Sequence, residues 1–405
     1  LKPEGWKRMT LADVADFRNG LNFVRGERGH SVKVVGVGDF QQHETLADFS
    51  ETAAVTITNE IGKDDLLQDG DLLFVRSNGN KALVGRCVLI SGVKEPVTFS
   101  GFTIRARVKS SGVDHSYLSK LVRSPVFLAH LHRRGGGSSI NNLSQEALAE
   151  FNFGLPTLPE QRKISEILRT WDEALEKLTA LRAAKQDRFT GLTQQIMGRG
   201  GVFPQQWPLK ALSAVSSPVR RKSKGDNHPV MTISAKSGFL MQSDKFARDM
   251  AGQSVERYTL LHEGEFAYNK GNSKTAPYGC VFRLDRSTAL VPFVYYCFAL
   301  KSGLDPEFYE HLFAAGALNH QLSRLINSGV RNDGLLNLYS DDFYSCRVPV
   351  PPIDEQRKIA RALTAAKQEL ALIDDEIQAL TRQKRGLLQK LLTGEWRVNS
   401  EKELA

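Results

Sequence analysis

Between Pro352 and Gly394, apolar side chains fall alternately three and four residues apart: Ile359, Leu363, Ala366, Leu370, Ile373, Ile377, Leu380, Leu387 and Leu391, with only Lys384 polar in the register. That spacing is the seam of a coiled coil. From Pro159 to Gly198 the pattern recurs as Ile164, Leu168, Trp171, Leu175, Leu178, Phe189, Leu192 and Ile196, interrupted by Arg182 and Lys185 and with Leu181 one place early. A proline at the opening and a glycine at the close of each stretch are helix start and stop signals. At ~38 residues and ~1.5 Å per residue, each predicted helix is a rod roughly 57 Å long, too long for one small core. Two such rods in one chain are expected to pack on each other, antiparallel, as a spacer between two other bodies. Leu168, Leu175, Leu178, Leu192, Leu363, Leu370, Ile377 and Leu387 carry the expected helix–helix packing.

The two rods are copies. Glu160-Gln161-Arg162-Lys163-Ile164 recurs 195 residues later as Glu355-Gln356-Arg357-Lys358-Ile359, and the register holds through Gly191 and Gly386 to Ile196 and Leu391. The duplication extends outward. Trp6, Leu11 and Val14 return as Trp207, Leu212 and Val215, and Asn142-Leu143 matches Asn337-Leu338. Gly70, Asp71, Leu72, Phe74, Arg76, Asn78 and Gly85 return 194 residues on as Gly264, Glu265, Phe266, Tyr268, Lys270, Asn272 and Gly279. The chain therefore reads as body, helix, body, helix: 1–155, 156–200, 201–350 and 351–396, with a tail at 397–405.

Each body has a mixed α/β pattern. In the first, 32–37, 54–58, 71–76, 84–90 and 102–108 are β-rich and bounded by Gly, Asn or Ser. Phe102, Ile104, Ala106 and Val108 alternate with Thr103, Arg105 and Arg107, so both arginines share one face of a strand. Short helices then lead into the polar loop Arg133-Arg134-Gly135-Gly136-Gly137-Ser138-Ser139. In the second, 265–268, 278–283 and 293–300 read as strands, the last also compatible with helix. Helices over 306–314 and 317–326 follow, before a second polar loop, 327–334.

With 405 residues, 41% of them apolar, the chain is large enough for two or three domains. No run approaches 18 apolar residues and no signal-peptide pattern opens the chain, so a cytoplasmic location is expected. Cys87, Cys280, Cys297 and Cys346 have no pairing pattern, consistent with reduced thiols. The net charge of +9 favours a polyanionic partner, nucleic acid before membrane. Enzymatic signatures are missing. Val35-Gly36-Val37-Gly38 lacks the third glycine of a dinucleotide site, and the triple glycine at 135–137 is not followed by Gly-Lys-Ser/Thr. His130 and His132 have no companion ligands at metal spacing. No nucleophile-and-base constellation and no base-gripping tetrapeptide of amino-methyltransferases is present. No catalytic, cofactor-binding or metal residue is assigned, and the chain reads as a binder.

The strongest binding candidates are Arg76, Ser77, Asn78 and Lys81 with their counterparts Lys270, Asn272 and Lys274. Arg suits bidentate contact with guanine, Asn with adenine and Lys with phosphate; the structural alternative is a polar turn with its charges in solvent. Arg105, Arg107, Arg133, Arg134, Ser138, Ser139, Asn141, Arg331 and Asn332 complete the set of DNA-facing candidates. For the two polar loops, ordering on a polyanion is weighed against a plain connector.

These residues resemble the specificity subunits of type I restriction-modification systems, over essentially the whole chain. The marks are the paired Glu-Gln-Arg-Lys-Ile helix openings, Trp6 with its echo Trp207, and Gly70-Asp71-Leu72-Leu73-Phe74 leading to Arg76-Ser77-Asn78-Gly79. The resemblance implies two mixed α/β target-recognition domains joined by two long antiparallel coiled-coil helices in a pseudo-two-fold repeat, each domain reading one half of a bipartite asymmetric site in double-stranded DNA. It also implies two modification subunits, which carry S-adenosylmethionine and methylate adenine, and restriction subunits that use ATP and Mg; no cofactor is expected on this chain. Arg162, Lys163, Arg357 and Lys358 are candidates for gripping those partners, against a plain solvated first turn. The sequence departs from the family where Asn269-Lys270-Gly271-Asn272 replaces the commoner Arg-Ser-Asn-Gly. Rival readings are a specificity module of a methyltransferase-only system, an enzyme with unrecognised motifs and a coiled-coil scaffold.

Overall fold

Both 3.5-residue seams fold as single helices, Leu158–Met197 and Ile353–Thr393. Glycines in the left-handed region end them, Gly198 at φ +80° and Gly394 at φ +72°, where a side chain would be strained. The structure is a computed structural model. It describes residues 5–22, 25–40, 44–58, 60–134, 142–198, 207–223, 225, 228–245, 256–271, 274–326 and 335–398. The chain falls into two units, Leu1–Leu178 with Glu376–Ala405, and Thr179–Asp375, so each unit owns half of each long helix.

The first unit runs β1 (Lys7–Thr10), α1 (Leu11–Val14), β2 (Ala15–Asn19), β3 (Arg25–Val35), β4 (Thr45–Leu46), β5 (Ala54–Ile57), β6 (Leu72–Val75), β7 (Cys87–Ile90), β8 (Val97–Phe99) and β9 (Thr103–Val108). After these come α2 (His115–Leu121), α3 (Pro125–Arg134), α4 (Gln145–Ala149), β10 (Asn152–Leu155) and the start of α5, the first long helix. A five-stranded sheet has the order β2-β9-β6-β7-β4, beside a three-stranded sheet β5-β3-β8 and the pair β1-β10. Strand β6, central in its sheet, is buried throughout, which is why its sequence is an unbroken apolar run rather than an alternation. Leu72 and Phe74 face a helix-side core with Tyr117, Leu118, Phe127, Ile164 and Leu168. Leu73 and Val75 face a second core with Val88, Ile90 and Phe99.

The second unit repeats that plan with different lengths. Strands β11 (Leu209–Ala211), β12 (Ser216–Pro218), β13 (Met231–Ser234), β14 (Gly238–Met241), β15 (Thr259–His262), β16 (Phe266–Asn269), β17 (Cys280–Arg283), β18 (Thr288–Val291), β19 (Tyr296–Leu300) and β20 (Arg347–Pro349) are joined by α6 (Leu212–Val215), α7 (Gln242–Lys245), α8 (Pro306–Ala314), α9 (Asn319–Leu325) and α10 (Ser340–Ser345) before α11, the second long helix. Its main sheet is β12-β19-β16-β17. The two-sided burial is the same: Phe266 and Tyr268 join the helix-side core with Phe298, Phe308 and Leu363, whereas Ala267 and Cys297 face the other way. Residues 296–300, open to either reading in sequence, are a strand because β16 pairs along them.

Within each unit the two helix halves run antiparallel. In the first, Leu168 shares a core with Leu391 and Leu392, Glu160 bonds Arg397, and Asp172 pairs with Lys384. In the second, Arg182 reaches Asp374 at 3.0 Å and Lys185 reaches Glu369 at 2.6 Å. The three cations that break the apolar register are thus each answered by an acid on the facing helix. Leu168, Leu363 and Leu370 are buried; Leu175, Leu178, Leu192, Ile377 and Leu387 are half-buried, and off-register Leu181 is exposed.

Candidate nucleic-acid interface

What positions each candidate surface is the repeated helix opening. The Trp6 indole donates to the Glu160 carboxylate at 3.1 Å, and Trp207 to Glu355 at 3.3 Å. The Gln161 amide accepts from Asp114 N at 2.8 Å and donates to the carbonyls of Gly112 and Pro156, both at 2.9 Å. Gln356 does the same work in the second unit, accepting from Asp305 N at 2.9 Å and donating to Pro351 O at 2.7 Å. Asp114 and Asp305 in turn cap α2 and α8 through Tyr117 N and Phe308 N. The identical pentapeptide is therefore divided by function: Glu and Gln point inward and lock the sheet-bearing body to its long helix, whereas Arg162, Arg357 and Lys358 are exposed. Lys163 is half-buried beside Glu166 at 3.1 Å.

In the first unit the candidate turn leaves the buried end of β6. Arg76 N donates to Phe102 O at 2.8 Å and its guanidinium reaches Gly101 O at 3.4 Å. Asn78 turns its side-chain oxygen to Asn80 N at 2.8 Å, and Asn80 caps the turn Lys81–Leu83, so these asparagines shape the loop. Arg76, Ser77 and Asn78 are half-buried; Lys81 is exposed. Arg133 and Arg134 are exposed at the C-terminal end of α3, where the helix dipole favours cations, and Arg134 pairs with Glu150. Leu143 N donates to Arg76 O at 2.8 Å, which brings the exit of the glycine-rich loop onto the Arg76 turn.

The second unit repeats this tie with a shift. Leu336 N donates to Lys270 O at 2.8 Å and Gly271 bridges Leu335. Leu336, not the sequence-aligned Leu338, takes the part of Leu143, because a tight i to i+2 bond from Leu338 N to Leu336 O takes up two residues. Lys270 lies against Tyr296, its ammonium 5.1 Å from the ring centre. Asn269 accepts from Gly271 N at 2.9 Å, repeating the loop-shaping use of asparagine, and Lys274 is exposed. Ser138, Ser139, Asn141, Asn272, Arg331 and Asn332 lie outside the described residues.

Arg105 and Arg107 share a face as their alternation requires, but that face is turned inward. Arg105 is 5% exposed and donates to Asp64 O at 2.6 Å; burial and then the neighbouring Arg107 charge lower its pKa. Arg107 holds both oxygens of buried Asp71, at 2.8 and 2.7 Å, and Leu66 O; that hydrogen bond raises its pKa. A strand pattern gives the shared face, but not what covers it. These two residues knit the β6–β9 region to the Asp64–Asp71 segment instead of offering free guanidiniums to a duplex. The sequence reading also passed over Arg220-Arg221-Lys222, three exposed cations after β12, although three basic residues in a row was itself a signal.

Among known proteins, a family model described as the type I restriction modification DNA specificity domain matches residues 3–186. The chain is 22% identical to the putative type I restriction enzyme MjaX specificity subunit of Methanocaldococcus jannaschii, over 98% of this chain and 95% of that one. It is 19% identical to the type I restriction enzyme EcoKI specificity subunit of Escherichia coli, over 98% and 91%. Its fold is similar to the HsdS subunit from Thermoanaerobacter tengcongensis, with a TM-score of 0.54 at 16% identity over 98% of both chains. It is likewise similar to the type I restriction-modification system S subunit from M. genitalium, with a TM-score of 0.55 at 14% identity over 97% of this chain and 99% of that one. With the domain match over residues 3–186, the full-length relatives and the duplicated body-and-helix architecture all in agreement, the chain is similar along its length to the specificity subunits of type I restriction-modification systems.

Proposed function

We propose that this chain selects the DNA sequence on which a type I restriction-modification enzyme acts. Residues 1–155 and 201–350 each read one half of a bipartite, asymmetric site in double-stranded DNA, and the long helices set the spacer between half-sites and dock two methyltransferase subunits. Restriction subunits join the same assembly. The chemistry belongs to those partners, which hold S-adenosylmethionine, ATP and Mg, and this chain is non-catalytic. One observation carries the reading: in each unit a basic turn leaves the central buried strand and is tied by a backbone hydrogen bond to the exit of a polar loop, Arg76 with Leu143 and Lys270 with Leu336. Two similar surfaces with different side chains suit two different half-sites, in which cations hold phosphates and loop groups reach base edges.

The test is to co-express the chain with the methyltransferase subunit encoded beside it and map N6-methyladenine across the host genome. The expected result is one bipartite motif, of which one half alone changes when residues 1–155 are replaced by those of a relative. Methylation that persists unchanged when the chain is deleted overturns the reading.

A further inference from the structure

A cavity of ≈340 Å³ lies in the second unit between the exit of β12, the start of β19 and α10. Four aromatic rings, Phe293, Tyr295, Tyr296 and Tyr344, line it beside smaller side chains such as Val219, Thr259 and Ser340. The three phenol hydroxyls are already satisfied inside the protein. Tyr296 donates to Leu338 O at 2.7 Å, Tyr344 donates to Cys297 O at 3.0 Å, and Tyr295 lies 3.0 Å from the Thr232 hydroxyl and accepts from Ile233 N. The rings are thereby held by their polar ends and offer carbon surface to whatever enters. Arg220 and Lys222, both exposed, line the same cavity, and among the described residues no carboxylate does. The Arg257 guanidinium lies 4.2 Å from the Phe293 ring, and Phe293 is 46% exposed. Aromatic walls with a cationic rim suit a flat π-system that carries negative charge.

The cavity also has the right neighbour. Tyr296 is the ring on which Lys270 rests, so the cavity adjoins the candidate DNA turn of this unit. The first unit is built differently at the matching place. Sheet pairing sets Tyr296 opposite Tyr268 where Ile104 stands opposite Phe74, and the chain after β2 is sealed by Leu21 N to Phe99 O at 2.9 Å and Gly101 N to Leu21 O at 2.8 Å.

We propose that this cavity receives one unstacked nucleotide of the bound DNA, its base among Phe293, Tyr295, Tyr296 and Tyr344 and its phosphate against Arg220 and Lys222. The second domain then reads its half-site partly by drawing a base out of the helix. Unstacking is cheapest where the pair is already weak, so a mismatch at the extruded position tightens binding. This rests on the DNA-recognition reading above.

The experiment uses the full chain in complex with its methyltransferase subunit, and duplexes of the mapped motif labelled for fluorescence anisotropy. A single mismatch is placed in turn at each position of the half-site read by the second domain, leaving out the methylated adenine. One position is expected to bind about tenfold tighter when mismatched. That gain should vanish in Phe293→Ala and in Arg220→Ala, both surface changes whose folding is checked by unchanged thermal melting. A flat scan, or a gain that survives both substitutions, overturns the proposal. So does thymidine or adenosine monophosphate crosslinking to Tyr296 without DNA alongside a flat scan, which would make the occupant a free nucleotide. Loss of sequence-specific binding by the unaltered complex would instead strike the DNA-recognition reading itself.

Discussion

The two junctions between body and long helix use the same inner clamp and opposite outer chemistry. Inside, Gln161 and Gln356 make matching bonds to the caps of α2 and α8. Outside, the first unit places Asp172 between Lys120, at 2.6 Å, and Lys384, with Glu44 accepting Arg123 at 3.2 Å on the same side. In the second, the residue 195 positions after Asp172 is Lys367, and the one matching Lys384 is Phe189, packed against the helix-side core. Lys367 turns instead to Glu310, at 3.6 Å, which also takes Arg283 at 2.7 Å. The contrast shows that the clamp is a geometric requirement, because it satisfies backbone groups that any such junction buries. The surrounding layer needs only to be compatible, and ion pairs or an aromatic ring both serve.

The largest effect is expected at the clamp. Gln161→Ala leaves Asp114 N, the buried Pro156 carbonyl and the more open Gly112 carbonyl without this partner and should destabilise the first unit by about 3–4 kcal/mol. Gln356→Ala removes fewer bonds and should cost the second unit about 2–3 kcal/mol. Hydrogen exchange at the Asp114 and Asp305 amides separates the two, and equal, negligible losses would sink the clamp. Next comes Arg107→Ala, which strands Asp71, a side chain 1% exposed, at about 2–3 kcal/mol. Arg76→Ala and Lys81→Ala should leave melting unchanged and instead weaken DNA binding, with a shallower salt dependence. A variant of Arg107 that loses DNA affinity without losing stability would return that residue to the interface.

Smaller effects separate the outer layers. Asp172→Asn leaves Lys120 and Lys384 with Glu44 alone, at 3.7 and 4.0 Å, between them and should cost about 1–2 kcal/mol, screened by salt because the site is partly open. Lys367→Ala, at a side chain 64% exposed, should cost under about 0.5 kcal/mol. Acidification gives the smallest and cleanest contrast. His311 is held neutral, its pKa lowered first by burial, with its ring nitrogen 2.8 Å from the Thr364 hydroxyl. The unfolded chain takes up that proton more readily, so the stability His311 contributes is full above about pH 6.5 and declines as pH falls toward the lowered folded value. Asp172 is raised by burial, but hydrogen bonds from Lys120 and Lys384 outweigh this and leave it lowered. Its contribution is present above the ordinary carboxylate pKa and is lost only as pH falls below about 4. Exchange measured from pH 7 to 5 should therefore soften the second unit before the first, and the reverse order would refute the assignment.

Much of the architecture was legible because it rests on local periodicity. A seam at 3.5 residues, bounded by proline and glycine, fixed both long helices to within a few residues, and the β-rich stretch 71–76 marked β6 as a strand, although its burial on both sides emerged only from the structure. Strands such as β1 and β10, four residues each and pairing Lys7 with Leu155, escaped notice. Their pairing joins positions far apart in sequence, and neither segment carries a clear period alone. Of the candidate site, the basic turns were visible through their recurrence, whereas the cavity beside Tyr296 was not, since its walls come from four separate segments.

The sequence by itself determined that the chain is a duplication, that its copies carry long amphipathic helices, and which family it resembles, because repeats and periods are properties of order along the chain. Only the tertiary structure decided which way each charge points. Arg105 and Arg107 turned inward to Asp64 and Asp71, and Arg182, Lys185 and Lys384 proved to be bridges rather than flaws in the seam. A strand or helix period says which residues share a face. What meets that face is set by elements as far as two hundred residues away, and for a charged side chain that neighbour decides between solvent, a ligand and a buried partner.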